Sequence, residues 1–506
     1  MFDTLRPVIP LVNTPFNVNN PRLGGIRSRV TPYSNRTNRK VLLSDRDNPY
    51  GGRALSRDSL NFPDNFIWGT STAGHQVEGG NEFSDWWAWE QKGLIEDKTV
   101  SGRAMDYWNR HEEDHALMAK LAYKGFRLGI EWARVEPQKD RFDRDTIEHY
   151  RRILQSLRHH GFKICLTLHH WVIPRWVAEQ GDWLNPDTVN QFLRYAKFVI
   201  EELGAFPDYW VTMNEPMVPA IMGNLLGHFP PQRRSIRAYR AVSRSYLRAH
   251  AGAYHLIHEL HPLAPDGTTS RVGVAMAYPW IEPWNSPGPA GWYERFAAFI
   301  ARRASFEGWD HTIRTGKPHW IHGGPAIAGV QNSYDYCGIN YYTRATLKFD
   351  RRRGDQYWID DTKAPPGVDV TQMGWQIYPE GLYRTIRSVW KRFRKPILIT
   401  ENGIADDTDE QRPCYIVEHL AQVHRALQEG IPILGYYHWS FVDNFEWREG
   451  FAKRFGLIAV QHDDPSLIRT PRPSAYLYSE IAQKNALTRK TVETYAPQAV
   501  AMVFGT

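Results

Sequence analysis

Tyr209-Trp210-Val211-Thr212-Met213-Asn214-Glu215-Pro216 and Pro396-Ile397-Leu398-Ile399-Thr400-Glu401-Asn402-Gly403 are built alike. Each is an apolar, β-rich run that ends on a carboxylate. Short runs of this kind read as buried strands. The C-terminal end of a buried parallel strand is where a barrel enzyme keeps its chemistry. Glu215 and Glu401 are therefore candidate reacting groups. A lone glutamate after a strand is ordinarily a solvated loop carboxylate. Two in the same register point to a paired-carboxylate mechanism, and the usual one is glycoside hydrolysis.

Six more strand-like runs lie around these two, at 66–72, 126–132, 163–170, 271–278, 334–342 and 433–440. The run containing Glu215 spans 209–215 and that containing Glu401 spans 396–401. Helix-like amphipathic stretches separate them, at 107–123, 145–160, 187–203, 237–260, 379–394 and 409–428. Apolar strands alternating with such helices imply a parallel sheet, and eight repeats imply closure. The predicted fold class is α/β, a single (β/α)8 TIM barrel with elaborated βα loops. A Rossmann-type sheet would want a G-x-G-x-x-G turn after its first strand. Trp68-Gly69-Thr70-Ser71 followed by Gly74 does not supply that spacing.

Bulk properties narrow the field. The 506 residues are 42% hydrophobic and 23% charged, which suits a large globular chain. No run approaches the roughly 18 apolar residues of a membrane span. The net charge of +7 would invite a nucleic-acid partner, but residues 1–60 alone hold ten basic residues against four acidic ones. The basicity thus belongs to an N-terminal extension, residues 1–59, read as an extended or partly disordered arm. The barrel domain is expected over 60–490 and a C-terminal tail over 491–506. Cys165, Cys337 and Cys414 cannot make a disulfide framework, and no Cys/His spacing resembles a zinc site. The first twenty residues lack the pattern of a secretory signal, which leaves the cytoplasm as the expected compartment. No cofactor, metal, nucleic-acid or membrane partner is expected, and a homo-oligomer is left open.

Polar and aromatic groups gather at the strand ends. Gln76 follows the first strand, and Arg127 and Glu131 lie in the second. His169, His170 and Trp171 end the third, Asn214 and Glu215 the fourth, and Asn340, Tyr341 and Tyr342 the sixth. Glu401 and Asn402 end the seventh, and Trp439 the eighth, with Asp443, Asn444, Glu446 and Trp447 close behind. A closed barrel would bring most of these into one pocket of carboxylates, amides, imidazole and flat rings. Sugars want that mixture, because hydroxyls take polar partners and C–H faces pack on rings. His169 and His170 cannot both face one side of a strand, so one of them is structural.

The motifs in order are Phe66-Ile67-Trp68-Gly69 with Gln76-Val77-Glu78-Gly79, Phe126-Arg127 through Trp132, Leu168-His169-His170-Trp171, Thr212-Met213-Asn214-Glu215-Pro216, Gly338-Ile339-Asn340-Tyr341-Tyr342, Gly374-Trp375, Thr400-Glu401-Asn402-Gly403 and Asp443-Asn444-Phe445-Glu446-Trp447. From about Phe62 to about Ser479 this series resembles the family-one glycoside hydrolases, the retaining β-glucosidase type. The resemblance implies that Glu401 is the nucleophile and Glu215 the acid/base. It implies that Gln76, His170, Asn214, Glu446 and Trp447 hold the non-reducing sugar, next to Trp171. It gives Trp439 as the aromatic floor, Trp375 as the leaving-group platform, and Arg127, Asn340 and Tyr342 as groups that orient or charge-balance the nucleophile. Gly129, His75 and Val172 depart from the common pattern.

The same resemblance implies an exo-acting enzyme on unphosphorylated β-glucosides, β-galactosides or β-fucosides, with a small-molecule β-glycoside or oligosaccharide as substrate. Glu446 would bond the sugar 4- and 6-hydroxyls and repel a 6-phosphate. Retention would place the two carboxyl groups about 5–5.5 Å apart. A transglycosidase on the same machinery and a non-catalytic sugar-binding relative are the alternatives. The aglycone is expected to meet the loops at 217–235 and 280–330.

Overall fold

The computed structural model describes residues 58–354, 358–361 and 363–505. The expected basic arm lies outside the described residues except for Asp58 and Ser59. Eight parallel strands close into one barrel in chain order. They are β1 Ile67–Ser71, β2 Gly125–Gly129, β3 Lys163–Thr167, β4 Tyr209–Asn214, β5 Val272–Ala277, β6 Cys337–Asn340, β7 Ile397–Asn402 and β8 Ile433–Trp439. All eight sequence-predicted runs are strands, and the predicted barrel is the fold. The runs end earlier than expected where the chain leaves the ladder. Glu131 and Trp132, for example, turn into the short helix Trp132–Val135 after β2.

The predicted helices also form. In Arg144–His159 the residues Ile147, Tyr150, Ile153, Leu154 and Leu157 fall on one buried face, at the three- and four-residue spacing of a helix. Asp143 caps its start by accepting from the Asp145 and Thr146 amides. Helix Pro379–Phe393 begins with proline, whose missing N–H costs nothing at that position, and buries Leu382, Ile386 and Val389. Outside the barrel, Ser59–Asn61 pairs antiparallel with Ala486–Thr488. Residues 489–505 carry helices Arg489–Tyr495 and Val500–Phe504, packed near helix Arg412–Gln428, so the expected tail at 491–506 begins inside a helix.

The lower barrel is filled. Ile67, Cys165, Tyr209, Val211, Ala275, Tyr336, Leu398 and Tyr437 form one cluster inside it. Tyr437 needs glycine opposite: a Cβ on Gly69 would come within 2.7 Å of its ring, and one on Gly125 within 2.8 Å of its hydroxyl. The expectation that Cys165 and Cys337 pack as small hydrophobes holds, since both are buried and unpaired. With the bottom plugged by side chains, the open end is left to polar groups.

Two strands extend beyond the ladder into a side sheet. After β5 the chain forms Trp280–Pro283, and after β6 it forms Arg344–Phe349 and Ile359–Asp360. These three pair with each other, and helix Pro289–Arg302 packs on the first two. The segments expected as loops at 217–235 and 280–330 therefore contain helices, namely Met217–Asn224, Pro289–Arg302 and Gly308–Thr315. Among the described residues no helix is long and apolar enough to cross a membrane.

The filled lower barrel is testable. Leu398 is fully buried there. Leu398→Ala is expected to destabilise the fold by about 2–5 kcal/mol, because the surrounding strands cannot collapse into the space. A lower midpoint of urea unfolding would register it.

Candidate active site

Arg127 rises from β2 into the barrel axis and is fully buried. Its Nη1 donates to Glu401 Oε1 at 2.5 Å, and its Nη2 donates to Asn214 Oδ1 at 2.6 Å. The Asn340 side-chain amide donates both to Asn214 Oδ1 at 3.0 Å and to Glu215 Oε1 at 2.9 Å. The Thr400 hydroxyl in turn donates to Asn340 Oδ1 at 2.6 Å. One chain of hydrogen bonds thus runs Glu401–Arg127–Asn214–Asn340–Glu215 across the ends of β2, β4, β6 and β7. The Tyr342 hydroxyl donates to the other oxygen of Glu401 at 2.6 Å.

The two carboxyls are electrostatically unequal. Burial raises both. On Glu401 a guanidinium in contact and the Tyr342 hydroxyl pull the other way. Glu215 has no cation in contact. Burial, then the charge of Glu401, pushes it up to about 8. Arg127 and the Tyr342 hydroxyl thus favour the ionised form of Glu401, and no cation in contact does the same for Glu215. Glu401→Gln removes the neighbouring charge, so the Glu215 pKa is expected to fall. A carbon-13 titration of labelled glutamate would follow it.

Around the pair lies a cleft lined by His170, Trp171, Asn214, Glu215, Asn340, Tyr342, Trp375, Glu401, Trp439, Glu446 and Trp447. The remaining predicted site residues, Gln76 and Arg127, stand one layer behind it. Gln76 donates through Nε2 to Asn444 Oδ1 and the Phe445 carbonyl at 2.9 Å and to Glu446 at 3.3 Å. Its Oε1 finds no protein partner. His170 accepts at Nε2 from Asn214, and its buried Nδ1 also finds none. Burial, aided by Arg127, holds its pKa far below the usual range, so the ring is neutral with the proton on Nδ1. One acceptor and one donor without protein partners beside the cleft suit the hydroxyls of a sugar. Glu446 is pushed well up, by burial first and by Glu401 second.

Side-chain alternation sorts the neighbouring residues. His169 turns away and packs against Trp183, Phe192 and Tyr246, so it is the structural member of the histidine pair. Asn402 also turns away from the cleft. It donates to the Tyr341 carbonyl and accepts from the Tyr436 hydroxyl, tying β6, β7 and β8 together. Asp443 is held by Arg472 at 2.9 Å and is structural too. Glu131 accepts from Asn81 and from the His75 amide, behind the first loop. The ring of His75, one of the departures from the family pattern, lies parallel to Trp447 at 5.9 Å.

Glu215, Trp171 and Trp447 hold left-handed φ angles of 42°, 72° and 50°. Such conformations cost about 1–3 kcal/mol each for non-glycine residues and persist only where the surroundings dictate them. All three line the cleft. Sequence reasoning missed part of the wall, namely Val218, Phe229, Ala277, Pro279, Thr343, Ala345, Asp361, Met373, Glu449 and Phe455. Of the two loops expected to meet the aglycone, 217–235 supplies Val218 and Phe229 to this wall and 280–330 supplies no lining residue; the others carry no chemistry-bearing pattern that would mark them in sequence. Arg448 also lines the cleft, but its guanidinium is engaged by Glu96 at 2.5 Å and by His228 at 3.2 Å.

The sequence model described as Glycosyl hydrolase family 1 matches residues 58–306 and 321–487. Beta-glucosidase A of Thermotoga maritima is 30% identical over 466 residues, covering 84% of this chain and 98% of its own. A beta-galactosidase of Sulfolobus acidocaldarius is 31% identical over 492 residues, covering 85% and 96%. Among solved structures, a beta-glycosidase from Pyrococcus horikoshii superposes with a TM-score of 0.78 at 35% identity, covering 86% of this chain and 98% of that one. The matched segments run over most of the sequence and include both glutamate motifs, so this chain belongs to glycosyl hydrolase family 1 and is a glycoside hydrolase.

Proposed function

We propose that the protein is an exo-acting retaining β-glycosidase that works by double displacement, with Glu401 as nucleophile and Glu215 as acid/base. The observation that carries this reading is the asymmetry of the pair's contacts: Arg127 and the Tyr342 hydroxyl bond Glu401 and favour its ionised form, while Glu215, with no cation in contact, is pushed up to about 8. Glu401 attacks the anomeric carbon while protonated Glu215 donates to the departing oxygen. The glycosyl–enzyme bond that forms neutralises Glu401. The pKa of Glu215 then falls, and the ionised Glu215 removes a proton from water as it displaces Glu401. Asn214, held by Arg127 and Asn340, is placed to meet the sugar 2-hydroxyl, a contact that strengthens in the transition state. Trp439 and Trp447 provide ring faces, and Trp375 supports the leaving group.

An unphosphorylated β-glucoside, β-galactoside or β-fucoside fits this cleft best. Glu446 with Gln76 offers a carboxyl to hydroxyls, and the nearby Arg448 guanidinium is occupied, so a 6-phosphate would find no free cation there. The similar proteins from T. maritima and S. acidocaldarius are named for the first two sugars. We place catalysis in residues 60–490, with 1–59 and 491–506 as appendages. The family match, which ends at residue 487, supports that division. The cytoplasm is the compartment we propose, in keeping with three unpaired cysteines.

The test is hydrolysis of aryl β-glycosides with gluco, galacto, fuco, manno and 6-phospho-gluco sugars. Turnover is expected for the first three, with Glu401→Gly abolishing it. Glu215→Ala is expected to lose about 10²–10⁴-fold in kcat with poor leaving groups, and added azide should restore turnover as the β-glycosyl azide. An α-configured azide product from that variant would refute the assignment.

The pH profile of kcat/KM follows from the same asymmetry. Glu215 must be protonated, so activity is expected to fall as pH rises through about 8. Tyr342→Phe removes a hydrogen bond that favours ionised Glu401 and should move the acid limb to higher pH.

A further inference from the structure

Helix Pro289–Arg302 is turned inside out. Its buried face is made mainly of small and aliphatic residues, Gly291, Ala297, Ala298, Ile300 and Ala301. Its outer face shows Trp292, Phe296 and Phe299, at 75%, 45% and 40% exposure. Their spacing of four and three residues puts all three rings on one stripe. A surface helix ordinarily does the reverse and keeps its large rings inside. Scattered exposed apolar residues need no explanation, but a contiguous stripe of aromatics marks an interaction surface.

The charge of this face is mainly basic. The helix contains a single acid, Glu294, and it points inward, accepting from the Ser286 amide and hydroxyl and from the Phe349 amide. Arginines flank the rings instead. The Arg295 guanidinium lies 5.7 Å from the Trp292 ring centre and that of Arg303 lies 3.4 Å from the Phe299 centre. Arg295 has no ion-pair partner among the described residues. Arg303 and Arg302 share Glu307. The adjoining hairpin adds exposed Trp358, whose ring lies 6.2 Å from Tyr293, with exposed Arg351 and Arg352 seven and six positions earlier, Arg352 paired with Asp350 at 2.7 Å.

We propose that this helix face seats the enzyme on an anionic lipid surface. Aromatic rings flanked by arginine on one side of a helix form the pattern that lies in the headgroup region of a bilayer. Tryptophan suits that region, with an apolar body and a polar N–H. The hydropathy that excludes a spanning helix does not bear on a helix lying flat. A second copy of this chain fits worse. A twofold contact would set the patch against itself and oppose Arg295 and its neighbours to their own copies. The helix also packs on strand Arg344–Phe349, whose Ala345 lines the active-site cleft, so the docked face and the cleft share one supporting sheet.

The experiment is co-sedimentation of the full-length chain with phosphatidylcholine vesicles, with and without phosphatidylglycerol. Binding is expected only with phosphatidylglycerol, and weaker as salt rises. The variant Trp292→Ser/Phe296→Ser/Phe299→Ser should lower the partition coefficient more than about ten-fold, and Arg295→Ala about five-fold. Both variants keep the N-terminal arm, so a loss of binding reports on the helix. Turnover of a soluble aryl glycoside should be unchanged in both, which shows that they are folded. Vesicle binding that the triple substitution leaves intact would overturn the proposal. So would an absence of binding to either vesicle. So would a dimer in sedimentation velocity that the triple substitution dissolves.

Discussion

The buried ion pair between Arg127 and Glu401 organises the whole upper barrel. A guanidinium with no solvent access is tolerated only where its donors meet acceptors within the protein. Here the acceptors are the Thr167 hydroxyl, the Thr400 carbonyl, Glu401 and Asn214, contributed by β3, β7 and β4. Satisfying one arginine from β2 therefore fixes three other strands relative to it. The same bonds orient Asn214, which with Asn340 reaches Glu215. Two carboxyls from opposite sides of the ring are thereby held in one electrostatic system, in which ionising one discourages ionising the other.

The lower barrel makes this arrangement affordable. Tyr437, Tyr336, Leu398 and their neighbours fill the space beneath Arg127 with rings and aliphatic groups. That packing excludes water from below, so the charges above interact through protein and not through solvent. It also explains the glycines at 69 and 125, which make room for the Tyr437 ring. Packing at one end and polarity at the other are two consequences of a single closed ring of alternating side chains.

The wall of the cleft is braced one layer further out. Gln76, Asn444, Phe445 and Glu446 form a hydrogen-bonded corner that joins the loop after β1 to the loop after β8. His75 stacks on Trp447, and Trp86 packs against it at 4.7 Å, so the first loop buttresses the last. The strained backbones of Trp171 and Trp447 lie at these junctions. The aromatic wall is held from behind, and its shape depends on loops that are hundreds of residues apart in the chain.

The strands and the two glutamates were legible in sequence because strand burial writes itself as short apolar runs, and a barrel puts its chemistry where those runs end. Position alone marked Glu215 and Glu401, and the family resemblance singled out Arg127, Asn340 and Tyr342 around them. Local pattern could not reveal which side each residue faces once the strand stops. His169 and His170, and likewise Glu401 and Asn402, are adjacent in sequence, yet one of each pair faces the cleft and the other a structural contact. Nor could it reveal the apolar wall at Phe229, Met373 and Phe455, or the outward rings of helix Pro289–Arg302. An exposed aromatic stripe and a buried one have the same period in sequence. Periodicity determined which residues share a face. Only the tertiary structure decided whether that face meets the core or the outside, because that depends on what the rest of the chain has left uncovered.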